Sequence, residues 1–324
     1  MIRLPRLYVT MLRYRVAAMV GMFMLLGAVR AGPLHLGVRY LCAAVALASS
    51  YVAATALNDL ADEAIDKVNH PRDAGRPLVD GTGTRRDLHL LHVLAAALAL
   101  AAAMPLGRRG VALVGVSLVV SAAYSARPLR ISHRVAGAPV LLGVAYVLVP
   151  SCLGLVAAGG RVTDAASRFS AALFFLFTAR IVLKDFRDRD GDARYGKPTL
   201  LLRHGKDATC AISMTALLVG DALLTSTLAL WPAVLAQLFV GAIALMVARL
   251  RNTSDRHGEQ VAIGIGARAG NGLLLCVLGW LLLAADGASR AEAATFVGVL
   301  ALLFLGTVAV LAVQPERAVI GYKG

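Results

Sequence analysis

Negative charge is scarce in this chain. Asp and Glu number 19 against 33 Lys and Arg in 324 residues, a formal balance of +14 at pH 7. Lysine is scarce too, since only 5 of the 33 basic residues are Lys. The four cysteines, Cys42, Cys152, Cys210 and Cys276, all lie in apolar segments. None is spaced as a zinc site or a redox pair, which excludes a metal-stapled or disulfide scaffold and leaves them as small core residues. Polar helix faces are missing as well. Segments such as 91–106 and 293–313 have no side to turn toward water, which excludes a soluble helical bundle.

What is present is apolar length. Hydrophobic residues make up 58% of the chain and mean hydropathy is +0.72, well above a soluble domain. The excess falls in blocks long enough to cross a bilayer. Ten spans are predicted, at about 14–30, 37–58, 88–106, 110–125, 136–158, 167–184, 208–229, 232–249, 270–285 and 293–313. The fold class is therefore all-α: a polytopic membrane bundle of nine to ten transmembrane helices around a central cavity. The chain reads as one membrane-embedded domain, 1–324, with 293–313 as an extra C-terminal helix. The basic, then apolar N-terminus imitates a signal peptide, but with so many spans behind it, it reads as a retained first helix.

The basic residues sit between spans. With the N-terminus in the cytoplasm, 26 of the 33 fall in cytoplasmic segments and 7 on the other side. That bias is the ordinary signature of membrane topology and accounts for the positive charge without nucleic acid. It predicts a multi-pass protein of the plasma membrane, with its roomy loops, 59–87, 185–207 and 250–269, on the cytoplasmic side. The basic tail (Arg317, Lys323) places the C-terminus there too.

Against this background the acids are informative. Seven of the 19 lie between 59 and 87, and four more between 185 and 192. The first cluster holds Asp59, Asp62 and Asp66, preceded by Asn58. The second holds Asp185, Asp188 and Asp192, preceded by Lys184. Both triads run i, i+3, i+7, which on a helix confines them to roughly 60° of one face. Each follows an apolar span that ends on the cytoplasmic side. Like charges stacked on one face repel unless cations sit among them. Mg²⁺ prefers carboxylate oxygens and is commonly held by one or two of them together with substrate phosphates. Two facing stripes therefore suit metal-assisted departure of a pyrophosphate.

At these residues the sequence resembles the UbiA superfamily of intramembrane prenyltransferases. The first family motif matches Asn58, Asp59, Asp62 and Asp66, followed by Arg76-Pro77-Leu78. The second matches Lys184, Asp185, Asp188, Gly191 and Asp192, leading to Gly196, Lys197, Thr199 and Leu200. A third element, Tyr-Ser-x-x-Pro-x-Arg, matches Tyr124, Ser125, Pro128 and Arg130. The family typically has nine spans, so 293–313 departs from its pattern. The resemblance implies two Mg²⁺ ions, one on Asp59, Asp62 and Asp66 with help from the Asn58 carbonyl, the other on Asp185, Asp188 and Asp192. It implies a prenyl diphosphate donor, an aromatic or lipid-like acceptor, and a donor tail in a cavity open to membrane lipid.

Cationic donors for the diphosphate are Arg72, Arg76 and Lys184, with Arg127, Arg130 and Lys197 behind them. Asp62, Asp66, Asp188, Lys184 and Tyr124 are the catalytic candidates. The Tyr124 ring suits either cation–π stabilisation of an allylic cation or an interfacial anchor. Glu63 and Asp190 fall at or beyond the edge of the acid faces. Transfer to an acceptor leads the functional reading. Acceptor-free cyclisation of the prenyl diphosphate, as in membrane terpene cyclases, needs the same ions and is the alternative. A CDP-alcohol phosphotransferase does not fit, because Ala193-Arg194 stands one position too early for its motif.

Overall fold

The computed structural model describes residues 3–35, 37–71 and 75–313. Among these the ordered elements are helical and no strand occurs. The two helices that carry the acid motifs, one of 32 residues and one of 10, organise the rest. Helix α1 (Arg3–Met11) and α2 (Tyr14–Val29) follow one another with a bend of 65°. The long α3 (Val38–Asn69) follows, then the short α4 (Pro77–Asp80). Helix α5 (Arg85–Ala103) opens with a reciprocal cap between Thr84 and Asp87. A turn at Met104–Leu106 and a positive-φ Gly107 lead into α6 (Gly107–Ser125).

Helices α5 and α6 are continuous in backbone hydrogen bonding, but they do not form one span. Arg85 at the start of α5 pairs with Glu63 at 2.6 Å, and Arg130 just past α6 pairs with Asp62 at 2.9 Å. The chain leaves α3 and returns to the same stretch of it. The described residues hold eight helical segments long and apolar enough to span, or nine with the bent pair. Dividing Arg85–Ser125 at its reversal brings the number to the expected ten.

Helix α7 (Gly137–Gly143) runs through a π-helical turn, Val144–Leu148, into α8 (Val149–Ala157). Helix α9 (Asp164–Ile181) ends in a 3₁₀ turn, Val182–Lys184, that leads directly into α10 (Asp185–Arg194). The remaining helices are α11 (Leu200–Thr225), α12 (Leu230–Asn252), α13 (Arg256–Ala285) and α14 (Arg290–Val313). The largest apolar cluster joins α2 to α9 through α13, with Phe23, Phe169, Leu217 and Leu250 among its buried residues.

Two expectations shift. The segments read as roomy loops are largely helix: α3 continues to Asn69, and α10 fills 185–194. The ninth span is not short. Helix α13 begins at Arg256, and Asp255 caps it by accepting from the backbone N–H of His257 and Gly258. Its apolar run is interrupted by Glu259, Arg268 and Asn271, which face internal partners or the cavity rather than lipid. Helix α14 is present and hardly buried, touching the bundle through Phe304 on Phe239 and Phe296 against Gly279. Residues 314–324, with the basic tail, lie outside the described residues.

Small residues allow the closest helix crossing. A Cβ on Gly27 of α2 would collide with the Ser151 carbonyl of α8, and one on Gly154 of α8 with the Met24 carbonyl of α2. In lipid, where apolar side chains gain nothing by leaving solvent, such backbone contact is a main source of helix association. Gly27→Val or Gly154→Val is expected to abolish the monodisperse peak in detergent size-exclusion. Gly21→Ala and Gly115→Ala, whose added Cβ would meet nothing within 4 Å, are expected to leave it intact.

Candidate functional site

The site lies where α3 and α10 meet. The backbone N–H of Gly191 donates to Asn69 Oδ1 at 2.6 Å, and His70 Nε2 lies 3.3 Å from Asp188 Oδ1. A Cβ on Gly191 would stand 2.6 Å from Asn69 Oδ1. Glycine in the second motif is therefore what lets the two acid-bearing helices touch. Helix α10 is held from its other side by α13. Arg256 makes a two-pronged pair with Asp190 at 2.6 and 2.7 Å, and Arg189 pairs with the buried Glu259 at 3.0 Å. Lys206 of α11 reaches the same Glu259 at 2.7 Å. Asp190 thus points away from the other acids, and Glu63 is taken by Lys67 and Arg85.

Each acid of the first motif has its own cation. Arg13 Nη2 donates to both oxygens of Asp59 at 2.7 and 2.8 Å, and Asp59 is only 2% exposed. Asp62 accepts from Arg130 at 2.9 Å and Asn58 at 3.3 Å, with Lys197 Nζ at 3.5 Å. Asp66 pairs with Arg76. Helix geometry breaks at Asp62 (φ −109°, ψ 15°), so the triad does not share one regular face. Arg13 (φ 45°) and Arg130 (φ 35°) both hold left-handed backbone, unusual for a residue with a Cβ. In the second motif Asp188 is flanked by His70 and by Arg187 at 3.1 Å. Asp185 and Asp192 are buried, and Asp192 Oδ1 has no hydrogen bond, with Lys197 Nζ at 3.6 Å. Lys197, in the turn after α10, is opposed by burial, but Asp62 and Asp192 hold its ammonium pKa above the ordinary range.

Part of this set faces a cavity of about 340 Å³. Asn58, Asp62, Asp66, Arg76, Asp188 and Lys197 line it, as do Tyr124 and Lys184. Lys184 Nζ donates to the Tyr124 hydroxyl at 3.2 Å and lies 5.9 Å from its ring centroid. Asp59, Asp185, Asp192 and Arg130 stand behind this wall, and Arg127 is exposed away from it. Arg72 lies outside the described residues. Among the described residues no three His, Cys, Asp or Glu side chains converge as a ready-made metal cluster. The wall also includes Arg13, Arg187, Arg180 and Asn271, and Arg180 donates to Asn271 Oδ1 at 3.1 Å. The sequence alone singled out neither Arg13 nor Arg187 for this place, because basic residues beside spans read as topology markers. The rest of the lining includes apolar side chains, Leu142, Ile243 and Val247 among them.

A many-spanned helical bundle around a cavity lined by acids, cations and apolar side chains defines a multi-pass membrane protein. Comparison with known proteins narrows the class. The UbiA prenyltransferase family matches residues 16–265, and this chain belongs to that family. It is 27% identical over 213 residues to the bacteriochlorophyll synthase 33 kDa chain of Cereibacter sphaeroides, a match spanning 64% of this chain and 63% of that one. The fold is similar to a solved structure described for digeranylgeranylglyceryl phosphate synthase, with TM-score 0.67 and 15% identity over 86% of this chain and 99% of that one. It is also similar to a UbiA homolog from Archaeoglobus fulgidus bound to GPP and Mg²⁺, with TM-score 0.64 and 16% identity over 84% and 99%.

The junction makes its own prediction. Gly191→Val should force α3 and α10 apart and cost about 1–3 kcal/mol of overpacking, read as a lower thermal midpoint in detergent. An unchanged midpoint would show that Asn69 is free to move aside.

Proposed function

We propose that this protein is a Mg²⁺-dependent intramembrane prenyltransferase, moving a prenyl group from a prenyl diphosphate to an aromatic or lipid-like acceptor. The observation that carries this reading is one cavity lined by acids and cations and by apolar side chains together, which suits a charged diphosphate joined to a hydrocarbon tail. Family membership supports the same chemistry, as do a relative that bears the name of a bacteriochlorophyll synthase and a structural neighbour that holds GPP and Mg²⁺. We assign the activity to one membrane-embedded domain in the plasma membrane, with the polar end toward the cytoplasm, on the basic bias of the loops at that end.

The residues fit the ion. Carboxylate oxygens are the hard donors Mg²⁺ takes, and Asp62, Asp66 and Asp188 present theirs to the cavity. Asp62 and Asp66, with Asn58, would hold one Mg²⁺ and Asp188 a second, while Asp59, Asp185 and Asp192, expected from the motifs as ligands, stand behind them, both Asp59 oxygens being taken by Arg13. When bound, the ions neutralise charge on the departing pyrophosphate. Arg76, Lys184 and Lys197 donate to the diphosphate oxygens and hold the donor head at the polar end. The C1–O bond breaks with its electron pair on pyrophosphate. The acceptor nucleophile then bonds to C1 and loses its proton. The Tyr124 ring, in the same wall, stabilises positive charge on the allylic carbons.

Asp62→Ala and Asp188→Ala should each lower kcat/KM by about 10²–10³-fold, the usual scale for removing one charge-stabilising group. Retained turnover and Mg²⁺ dependence in both would overturn the assignment. Purified protein given prenyl diphosphate and Mg²⁺ without acceptor should release no cyclised hydrocarbon or terpene alcohol. Such a product would assign cyclisation instead.

A further inference from the structure

Arg180 of α9 and Arg268 and Asn271 of α13 line the cavity, as does Arg15 of α2. Helices α9 and α13 both lie in segments long and apolar enough to cross a membrane. An ionisable side chain in such a segment is expensive, and where one is kept it commonly marks a substrate or ion path. None of these residues is an acid of the two motifs or one of the cations assigned to the diphosphate. Arg180 is held in place by α13. Its Nη2 donates to the Ala267 carbonyl at 2.9 Å and to Asn271 Oδ1 at 3.1 Å. Its side chain lies across Gly270, where a Cβ would stand 2.6 Å from Cδ, Nε and Cζ alike. Glycine at that position is what lets the guanidinium lie against the helix. Both hydrogen bonds are to neutral acceptors, so they fix the group without cancelling its charge. Arg13, Arg76, Arg130 and Lys197, by comparison, are each held by a carboxylate.

Arg268 follows Ala267 directly, and its Nη1 donates to the Gly264 carbonyl one turn back at 3.2 Å. Arg15 stands close enough to Arg268 for the two charges to repel. Like charges brought together beside one cavity favour an anion between them. The set is also displaced from the second acid motif. Arg180 precedes Asp185 by five residues, which is about 8 Å along the chain axis of a helix.

We propose that Arg180 and Arg268, with Asn271 beside them, form an anion seat that selects an acceptor bearing a carboxylate or a phosphate. The proposal rests on the prenyl-transfer reading above and names the class of acceptor. Guanidinium groups suit either anion, since both present paired oxygens to the planar fork. With the anionic group seated on α9 and α13, a separate nucleophilic atom of the acceptor is turned toward the donor carbon at the acids. A neutral acceptor of the same shape would bring the arginines no oxygens to match their charge, which is how a polar site rejects an analogue.

The test uses full-length protein in detergent, with Mg²⁺ and geranyl thiolodiphosphate as the donor probe. Two matched pairs of acceptor probes are added, hydroxybenzoate against hydroxybenzamide and hexadecylglycerol phosphate against hexadecylglycerol. Affinity is read as ligand-induced thermal stabilisation. At least one anion should bind about 10–100-fold more tightly than its neutral partner, the scale of a charge-assisted hydrogen bond. The pair that shows the preference tells carboxylate from phosphate. Arg180→Gln and Arg268→Gln should each bring that ratio near unity while the thiolodiphosphate binds as in wild type. Gly270→Ala keeps every charge but moves the Arg180 guanidinium, and it should lower the ratio as well. The three variants are independent, so loss of one protein to misfolding leaves the others to decide. Anions that bind no better than their neutral partners, or variants that fold and keep the wild-type ratio, would overturn the seat. So would a parallel loss of thiolodiphosphate affinity in the variants, which would give these arginines to the diphosphate. If the thiolodiphosphate does not bind wild type, the diphosphate reading itself fails.

Discussion

The rest of the site depends on the contact between the ends of α3 and α10. Two helices rich in Asp would repel at that distance. They meet because Gly191 has no side chain, because Asn69 accepts its N–H, and because His70 reaches Asp188. The contact is polar, local and short, and neither helix could make it from within lipid. That explains why both run past their apolar segments before meeting. Once they touch, the remaining acids are fixed in space relative to one another, and the cations of four other chain segments can be aimed at them.

Those cations come from well-separated parts of the chain. Arg13 precedes α2, Arg76 precedes α4, Arg130 follows α6, and Lys197 follows α10. Each brings a loop over the same end of the bundle. The acids are thus matched by guanidinium and ammonium groups before any ligand enters, which keeps a carboxylate-lined chamber at the edge of a low-dielectric slab from being prohibitively costly. Beyond the chamber, Glu259 ties α10, α11 and α13 together through Arg189 and Lys206, so the second motif is braced from outside as well.

Much of the architecture was legible because hydropathy is a strong signal in lipid. The all-α class, the family and the number of spans follow from apolar length and from two motifs of unusual regularity. Helix limits were less legible where polar residues face inward. Glu259 interrupts the apolar run of α13, and only the fold shows that it is turned away from lipid. The acid spacing pointed to one face per motif. In the structure Asp62 and Asp66 line the cavity while Asp59 is drawn aside by Arg13, 46 residues away. No local pattern carries that pairing. At the kink at Asp62 the partners are Arg130 and Lys197, 68 and 135 residues away, which no local pattern carries either. Asn69 gave no sign of its role, since its partner is a backbone N–H on a distant helix.

The left-handed backbone at Arg13 and Arg130 has an energetic consequence. A residue with a Cβ in that region stores about 1–3 kcal/mol, and it stays there only while its surroundings hold it. Here the holders are Asp59 and Asp62. Each acid therefore acts as a latch on a sprung loop as well as a charge in a chamber. Glycine at either arginine position would relax the spring and favour the folded backbone, yet leave the facing carboxylate buried without its partner. Local ease and the arrangement of the chamber are opposed at these two points, and the sequence keeps the tension.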